Sequence, residues 1–342
     1  MSINFNQGFL SPAAYSPMRS YSLLASAKIN LYLEIIGDRP DGYHELAMVL
    51  QSIDLADRID LRAIGTDTIR VRCDHPQVPP DKNNLAYRAA DLLAKQFPDA
   101  LAKYGGVEIA IHKQIPVAAG LAGGSANAAA VLVGMDLLWQ LGLTQSELQE
   151  LGGTLGSDVP FCIAGGTALA TGRGDKLSPL PDLGGFSVVL AKYRNLSIST
   201  AWAYQTYRQQ FSSSYCAAED LECRRERLHS GPMVGAIAQK DRSKIGQLLH
   251  NDLEKVALPV YPQVLQLRQA FESAGVLGTM MSGSGPTVFA LAESAEQAQQ
   301  VLERVKSAIA SPDLDFWIAK FSNTGIRIFS EGNDTKTPIS RV

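Results

Sequence analysis

A chain of 342 residues, 46% of them hydrophobic, can bury a sizeable core, and its length predicts two domains of ordinary size. Its 31 basic and 34 acidic side chains leave a net charge of −3, which gives no electrostatic basis for nucleic acid or an anionic membrane as partner. Cys73, Cys162, Cys216 and Cys223 form no C-x-x-C pair, which excludes a disulfide framework and predicts reduced thiols in a cytoplasmic protein; the five histidines lack metal-ligand spacing, and no protein metal site is expected.

Residues 1–18, "MSINFNQGFLSPAAYSPM", carry no charged side chain. They match neither a secretory signal nor an Arg-rich transit peptide and are expected to be a disordered extension, as is the tail 331–342. No apolar run reaches the roughly 18–20 residues of a membrane-spanning helix. From Arg19 the alternating "SYSLLASAKINLYLEII" predicts a strand ending at the turn "GDRPDG", and "HELAMVLQSIDLADRIDLRAI" and "TIRVRC" predict further strands. Leu85, Ala89, Leu92 and Leu93 fall at helical spacing within Asn84–Phe97. "GVEIAIHKQI" is a strand running into the Gly- and Ala-rich "PVAAGLAGG", with a helix expected over Ser125–Leu138.

Thr144 and Glu147 form a capping box that opens a short helix. "SDVPFCIAGGTALATG" follows, and the Pro/Gly-rich Leu177–Gly185 is the expected boundary between a domain at 19–180 and a second at 181–330. Beyond the apolar strand "FSVVLA", the polar Gln205–Ser230 reads as a solvated helix plus a loop. Helices are expected over Lys244–Leu258, Tyr261–Ala274 and Glu293–Ile309, the last two flanking "GTMMSGSGPTVFALA". The order helix, strand, strand, helix suggests a small α+β sandwich.

The Gly-rich turn is the first candidate for chemistry. A helix N-terminus presents about four unpaired N–H groups and roughly half a positive charge, so an anion is favoured there. Small residues at 118–120 and 122–124 let phosphate oxygens reach the backbone, and Ser125 either caps the helix or offers its hydroxyl to phosphate or its metal. The turn lacks the Lys-Ser/Thr of a P-loop and the G-x-G-x-x-G of a dinucleotide site. By itself it reads as a tight helix–strand corner more readily than as a phosphate site. Lys28, alone in the apolar "ASAKINLYL" beside Asn30, either snorkels outward or pairs inside a site. Asp158 in "LGSDVPF" is either a helix-cap or turn aspartate or a functional one.

Taken together, "ASAKINLYL", "PVAAGLAGGSANAA" and "MSGSGPTVFAL" resemble the three ordered motifs of the GHMP small-molecule kinases, over about Arg19 to Asn323. D-G-Y-H at 41–44, "NNLAYRAA" and "LGSDVPF" narrow the resemblance to the members that act on a cytidine-diphosphate-linked polyol. The resemblance implies an α+β fold with an N-terminal ATP-binding domain and a C-terminal ferredoxin-like sandwich, the site lying in the cleft between them. It implies ATP as co-substrate with Mg2+, the metal being held chiefly by the nucleotide. Gly120, Leu121, Ala122, Gly123, Gly124 and Ser125 would wrap the ATP phosphates, while Asn84, Leu85, Lys113 and Pro116 would line the rest of the nucleotide site. Asp158 would be the base that accepts the proton of the polyol 2-hydroxyl, and Lys28 its basic partner. Tyr43 and Tyr204 would sandwich the cytosine, His44 would bond its edge, and Asn30 would contact substrate. Ala122 and Ala126 stand where many relatives carry Gly or Ser, a change that keeps the backbone donors. "SGSGPT" is expected to support the phosphate turn by close backbone approach rather than to act in chemistry. Family members whose substrates carry no base have no use for the D-G-Y-H stretch.

Overall fold

Two long strands, β1 (Ser20–Asp38) and β2 (His44–Ile64), pair antiparallel along almost their whole length and organise the first sheet. This computed structural model describes residues 19–216 and 231–330; the expected tails at 1–18 and 331–342, and the 217–230 part of the polar stretch, lie outside the described residues. The outer half of β2 pairs β4 (Gly106–His112), which pairs β3 (Ile69–Cys73) in parallel. Its inner half pairs β5 (Thr167–Gly172), which continues to β6 (Lys176–Pro179). The second half of the chain lends two strands to this sheet, β8 (His250–Asn251) and β12 (Ile326–Ile328), both on β1.

Helices α1 (Leu85–Gln96), α2 (Pro98–Tyr104), α3 (Gly123–Trp139), α4 (Gln145–Leu155) and α5 (Val159–Ala164) belong to this half. Because α3 is apolar around its whole circumference, it must be central, and 11 of its residues are buried. Thr144 and Glu147 form the expected capping box.

The second sheet has the order β11 (Leu314–Lys320), β7 (Ser187–Tyr193), β10 (Val288–Ala292), β9 (Gly278–Met281). With helices between β7 and β9 and between β10 and β11, this is the ferredoxin-like arrangement that the family resemblance implies. Alternate residues of β7 enter different cores: Val188 and Leu190 face the first sheet's core, while Val189 and Ala191 face the second sheet's helices. The helices here are α6 (Thr200–Phe211), α7 (Pro232–Ala238), α8 (Arg242–Gln247), α9 (Glu254–Val260), α10 (Pro262–Ser273) and α11 (Ala295–Ala308). The helix expected over Lys244–Leu258 is therefore two helices with β8 between them. Asn251 and Asp252 leave the helical path because β8 pairs β1 and Asp252 Oδ2 accepts from Ile35 N at 2.8 Å, a tertiary demand that local pattern does not carry.

Gly134 lets α3 lie flat on the sheet, since a Cβ there would collide with the Leu61 and Leu23 side chains. Gly134→Val should cost about 1–3 kcal/mol by overpacking. Urea denaturation should show a lower midpoint with an unchanged slope.

Candidate active site

A cleft of about 980 Å³ runs between the two halves. It is lined by 15 of the 16 residues that the sequence singles out, Lys28, Asn30, Tyr43, His44, Asn84, Leu85, Lys113, Pro116, Gly120, Ala122, Gly123, Gly124, Ser125, Asp158 and Tyr204. Leu121 is the exception. Its side chain is 1% exposed and packs in the core, and only its carbonyl serves the region, accepting from Lys28 N at 3.2 Å.

The Gly- and Ala-rich turn is built to expose backbone. α3 begins at Gly123, two residues before the expected start, and its N-cap is Ala122 in the left-handed region at φ 57° with no side-chain cap bond. Ser125 does not cap the helix, because it already lies in the first turn. The first intrahelical bond is Ala126 N to Ala122 O at 2.9 Å, so the N–H groups ahead of Ala126 precede the helical ladder. The turn is supported from behind by the third motif. Gly120, at φ 75°, has no room for a Cβ beside the Ser282 carbonyl, and Ser282 Oγ donates to Gly120 O at 3.1 Å.

The entry to the turn hangs on Asp57, a residue the sequence reading did not single out. Its carboxylate has no exposed surface and receives Lys113 Nζ, Asn127 Nδ2 at 2.7 Å, Gln114 N at 2.8 Å and Ile115 N at 2.9 Å. A signal existed. Ile53, Leu55, Asp57, Ile59 and Leu61 occupy one phase of β2, and all five are buried, so Asp57 is a carboxylate on the core-facing phase of an alternating strand. Lys113 thus reaches the cleft as the partner of a buried acid. Asn84 is also committed, its Oδ1 accepting from Ala86 N at 2.9 Å as the α1 cap and its Nδ2 donating to Pro79 O at 2.8 Å.

On the opposite wall Lys28, 5% exposed, points inward rather than snorkelling. Its Nζ donates to Asn30 Oδ1 at 2.8 Å and to Gly120 O at 3.3 Å, and lies 3.9 Å from Asp158 Oδ2. Asp158 precedes α5 but its carboxylate makes no cap bond, so the cap reading does not hold. It is about one-third exposed to the cleft. Burial, followed by the Asp158 charge, pushes the Tyr204 phenol and the Cys162 thiol up, so both stay protonated at neutral pH.

The far end of the cleft is aromatic. His44 and Tyr204 lie with ring centroids 5.1 Å apart, while Tyr215 meets His44 edge-on at 6.2 Å. His44 is 7% exposed and its Nε2 has no hydrogen-bond partner among the described residues; the nearest acid, Asp38, stands 3.6 Å away. Burial, then the charge of Arg208, hold its pKa below the usual imidazole value against Asp38. Tyr43 is 53% exposed and carries the Arg173 guanidinium 5.5 Å from its ring centroid. Arg208 of α6 closes the turn before Tyr43, donating to Asp38 at 2.7 Å and to Gly42 O at 3.1 Å.

Among the described residues no group of three or more His, Cys, Asp or Glu is placed to hold a metal ion. Ser125 and Asp158 are hard oxygen donors on the cleft wall, a set that suits Mg2+ held mainly by phosphate and water. No helix among the described residues is long and apolar enough to cross a membrane.

The model of the GHMP kinases N terminal domain matches residues 84–166, and that of the GHMP kinases C terminal region matches 233–311. The chain is 68% identical over 315 residues to the 4-diphosphocytidyl-2-C-methyl-D-erythritol kinase of Nostoc punctiforme, covering 92% of this chain and 99% of that protein. It is likewise 68% identical over 312 residues to the same-named protein of Trichodesmium erythraeum, with 91% and 99% covered. Among solved structures it resembles 4-(cytidine 5'-diphospho)-2C-methyl-D-erythritol kinase at 30% identity and TM-score 0.67, covering 88% of this chain and 99% of that one. Homoserine kinase from Cytophaga hutchinsonii shares the fold at 20% identity and TM-score 0.70, with 95% and 100% covered.

Removing the Asp57 carboxylate strands a buried ammonium. Asp57→Ala should therefore cost about 3–5 kcal/mol, and adding Lys113→Met should restore a large part of it. Urea denaturation of the two variants and the wild type checks this.

Proposed function

The chain belongs to the GHMP kinases and is an ATP-dependent phosphotransferase; from that premise we propose that it moves the γ-phosphoryl group of ATP to the 2-hydroxyl of 4-diphosphocytidyl-2-C-methyl-D-erythritol. The products are the 2-phosphate and ADP, in the non-mevalonate route to isoprenoid precursors. What carries the reading is one cleft with three parts in a row: an exposed-backbone turn, a Lys28–Asp158 pair at 3.9 Å, and an aromatic pocket around His44. Curated relatives 57–68% identical over 91–93% of the chain carry the name of this activity.

In the mechanism, ATP lies with its phosphates along the turn from Gly120 to Ser125, whose N–H groups face their oxygens. Phosphoryl transfer requires mainly positioning and charge neutralisation. Ser125 and Asp158 would be the oxygen donors nearest an Mg2+ bound with ATP, which would supply neutralisation of the phosphate charge. Asp158 accepts the proton of the attacking 2-hydroxyl. Lys28, oriented by Asn30 and the Gly120 carbonyl, steadies the Asp158 carboxylate and the charge gathering on the transferred group. The cytosine stacks in the pocket of Tyr43 and Tyr204, worth roughly 1–3 kcal/mol for one base. His44 Nε2 meets the base edge, which satisfies a buried polar atom otherwise without a partner. Reduced cysteines and the use of ATP support a cytoplasmic location.

An ADP-release assay offering the cytidyl polyol beside mevalonate and homoserine tests the substrate. Turnover on either of the last two but not the first would sink the assignment. Asp158→Asn should lower kcat by roughly 10²–10⁴-fold with ATP binding retained; a near-normal rate would remove Asp158 as base.

His44 also predicts a pH dependence. Its folded pKa is depressed, so it stays neutral as pH falls to about 6.5, the ordinary value, and protonates only below that. KM for the cytidyl substrate should therefore hold steady from pH 8 to about 6.5 and rise at lower pH, and the stability that neutral His44 retains should be lost over the same acid range. NMR titration of the imidazole against KM checks both.

A further inference from the structure

We propose that Arg173 is the subsite for the diphosphate of the cytidyl substrate, bridging the base pocket and the phosphoryl-transfer pair; this rests on the substrate reading above. Such a substrate carries its base at one end, its reacting hydroxyl at the other, and a doubly charged diphosphate between them. A cleft that places both ends needs a cation in the middle, and guanidinium is the side chain whose fork of N–H donors matches phosphate oxygens.

Arg173 lines the cleft. On one side its guanidinium carbon stands 5.5 Å from the Tyr43 ring centroid. On the other, its Nη2 donates to Gly153 O at 2.5 Å. Gly153 belongs to α4, the helix that leads into the Asp158 turn. One side chain therefore joins the ring of Tyr43 to the helix that leads to the proposed base.

Its placement is built into the backbone. Arg173 sits at the tip of the β5–β6 hairpin between Gly172 at φ 70° and Gly174 at φ 96°, conformations that favour glycine at both positions. Gly172 N donates to Glu45 Oε1 at 3.2 Å, and Gly172 pairs with Leu46, so the tip is fixed against the residues that follow His44. Asp175 accepts from Arg173 Nε at 2.7 Å and fixes the plane of the guanidinium. These bonds use Nε and Nη2 and leave Nη1 for a ligand, and the side chain keeps 28% of its surface open.

The other cations on the cleft wall have different tasks. Lys28 faces the transferring group, Lys113 is bound to Asp57, and Arg208 holds Asp38 and the Gly42 carbonyl. Among the described residues Arg173 is the remaining cation on the cleft wall; it too is paired, with Asp175, and it keeps Nη1 for a diphosphate. Because it also covers Tyr43, it has two separable effects, one on the ring and one on the diphosphate, and only the second is charge recognition.

Competition against the cytidyl substrate separates them. Inhibition constants for cytidine and for cytidine diphosphate are measured on the full chain at saturating ATP, for wild type, Arg173→Gln and Arg173→Lys, with thermal midpoints recorded for each. Wild type should bind the diphosphate more tightly than the nucleoside. Arg173→Gln should weaken the diphosphate by roughly 10–100-fold, the worth of a charged hydrogen bond, while cytidine and KM for ATP change little; Arg173→Lys should recover part of the loss. An equal loss for cytidine and its diphosphate would overturn the subsite and leave Arg173 only as the cover of Tyr43. No loss for either ligand would overturn it as well. If neither ligand competes in wild type, the base pocket itself falls and the subsite with it.

Discussion

A carboxylate with no exposed surface, Asp57, is the point from which the Gly- and Ala-rich turn hangs. The turn is made of glycine and alanine, which leave its backbone open, and such residues have little packing of their own to hold them in one conformation. Asp57 supplies what they lack. It fixes the chain as it leaves β4, through Gln114 N, Ile115 N and Lys113, and again in the first turns of α3, through Asn127. A buried ion pair is weak ground for stability in itself, because desolvation offsets the Coulombic gain. Its worth here is positional: entry and exit of the turn are tied to one strand of the sheet.

The second constraint is that the turn is backed by the other half of the molecule. Gly120 and the Ser282 carbonyl approach so closely that no Cβ fits between them. The loop behind Gly120 is itself held from the first sheet, since Asn251 of β8 donates its Nδ2 to the carbonyls of Met281 and Gly283, both at 2.8 Å, while β8 pairs β1. Lys28 lies on that same β1, and a Cβ at Gly283 would meet the Lys28 and Asn30 head groups. The cleft geometry therefore belongs to neither sheet alone. The two halves share a continuous core through Val188, Leu190 and Phe289, which limits how far they can move apart without opening it.

Much of this was legible from local pattern. The alternation of β1 and β2, the capping box at Thr144 and the helix–strand–strand–helix order all appear as read, because each depends on neighbours in the chain. The reading weakened where burial overrides the local signal. Lys28 was open between snorkelling and pairing, since one lysine in an apolar strand fits either until its surroundings are known. Asp57 does not stand out in "DLADRIDL", where acidic residues occupy both phases of the strand and only their phase against Ile53, Leu55, Ile59 and Leu61 distinguishes the buried one. The helix expected across Asn251 failed for the related reason that strand pairing with β1, more than 200 residues away, decides that segment.

By itself the sequence determined the order of elements, the small-residue turn ahead of α3, and the set of chemical groups available to the site. These follow from backbone preference and apolar period, which act over a few residues. Only the tertiary structure decided which charges meet: Lys28 with Asp158, Asp57 with Lys113, and Arg173 with the ring of Tyr43. Partners of that kind lie tens to more than a hundred residues apart, and whether a charged group is buried, paired or open to a ligand depends on what the fold packs around it.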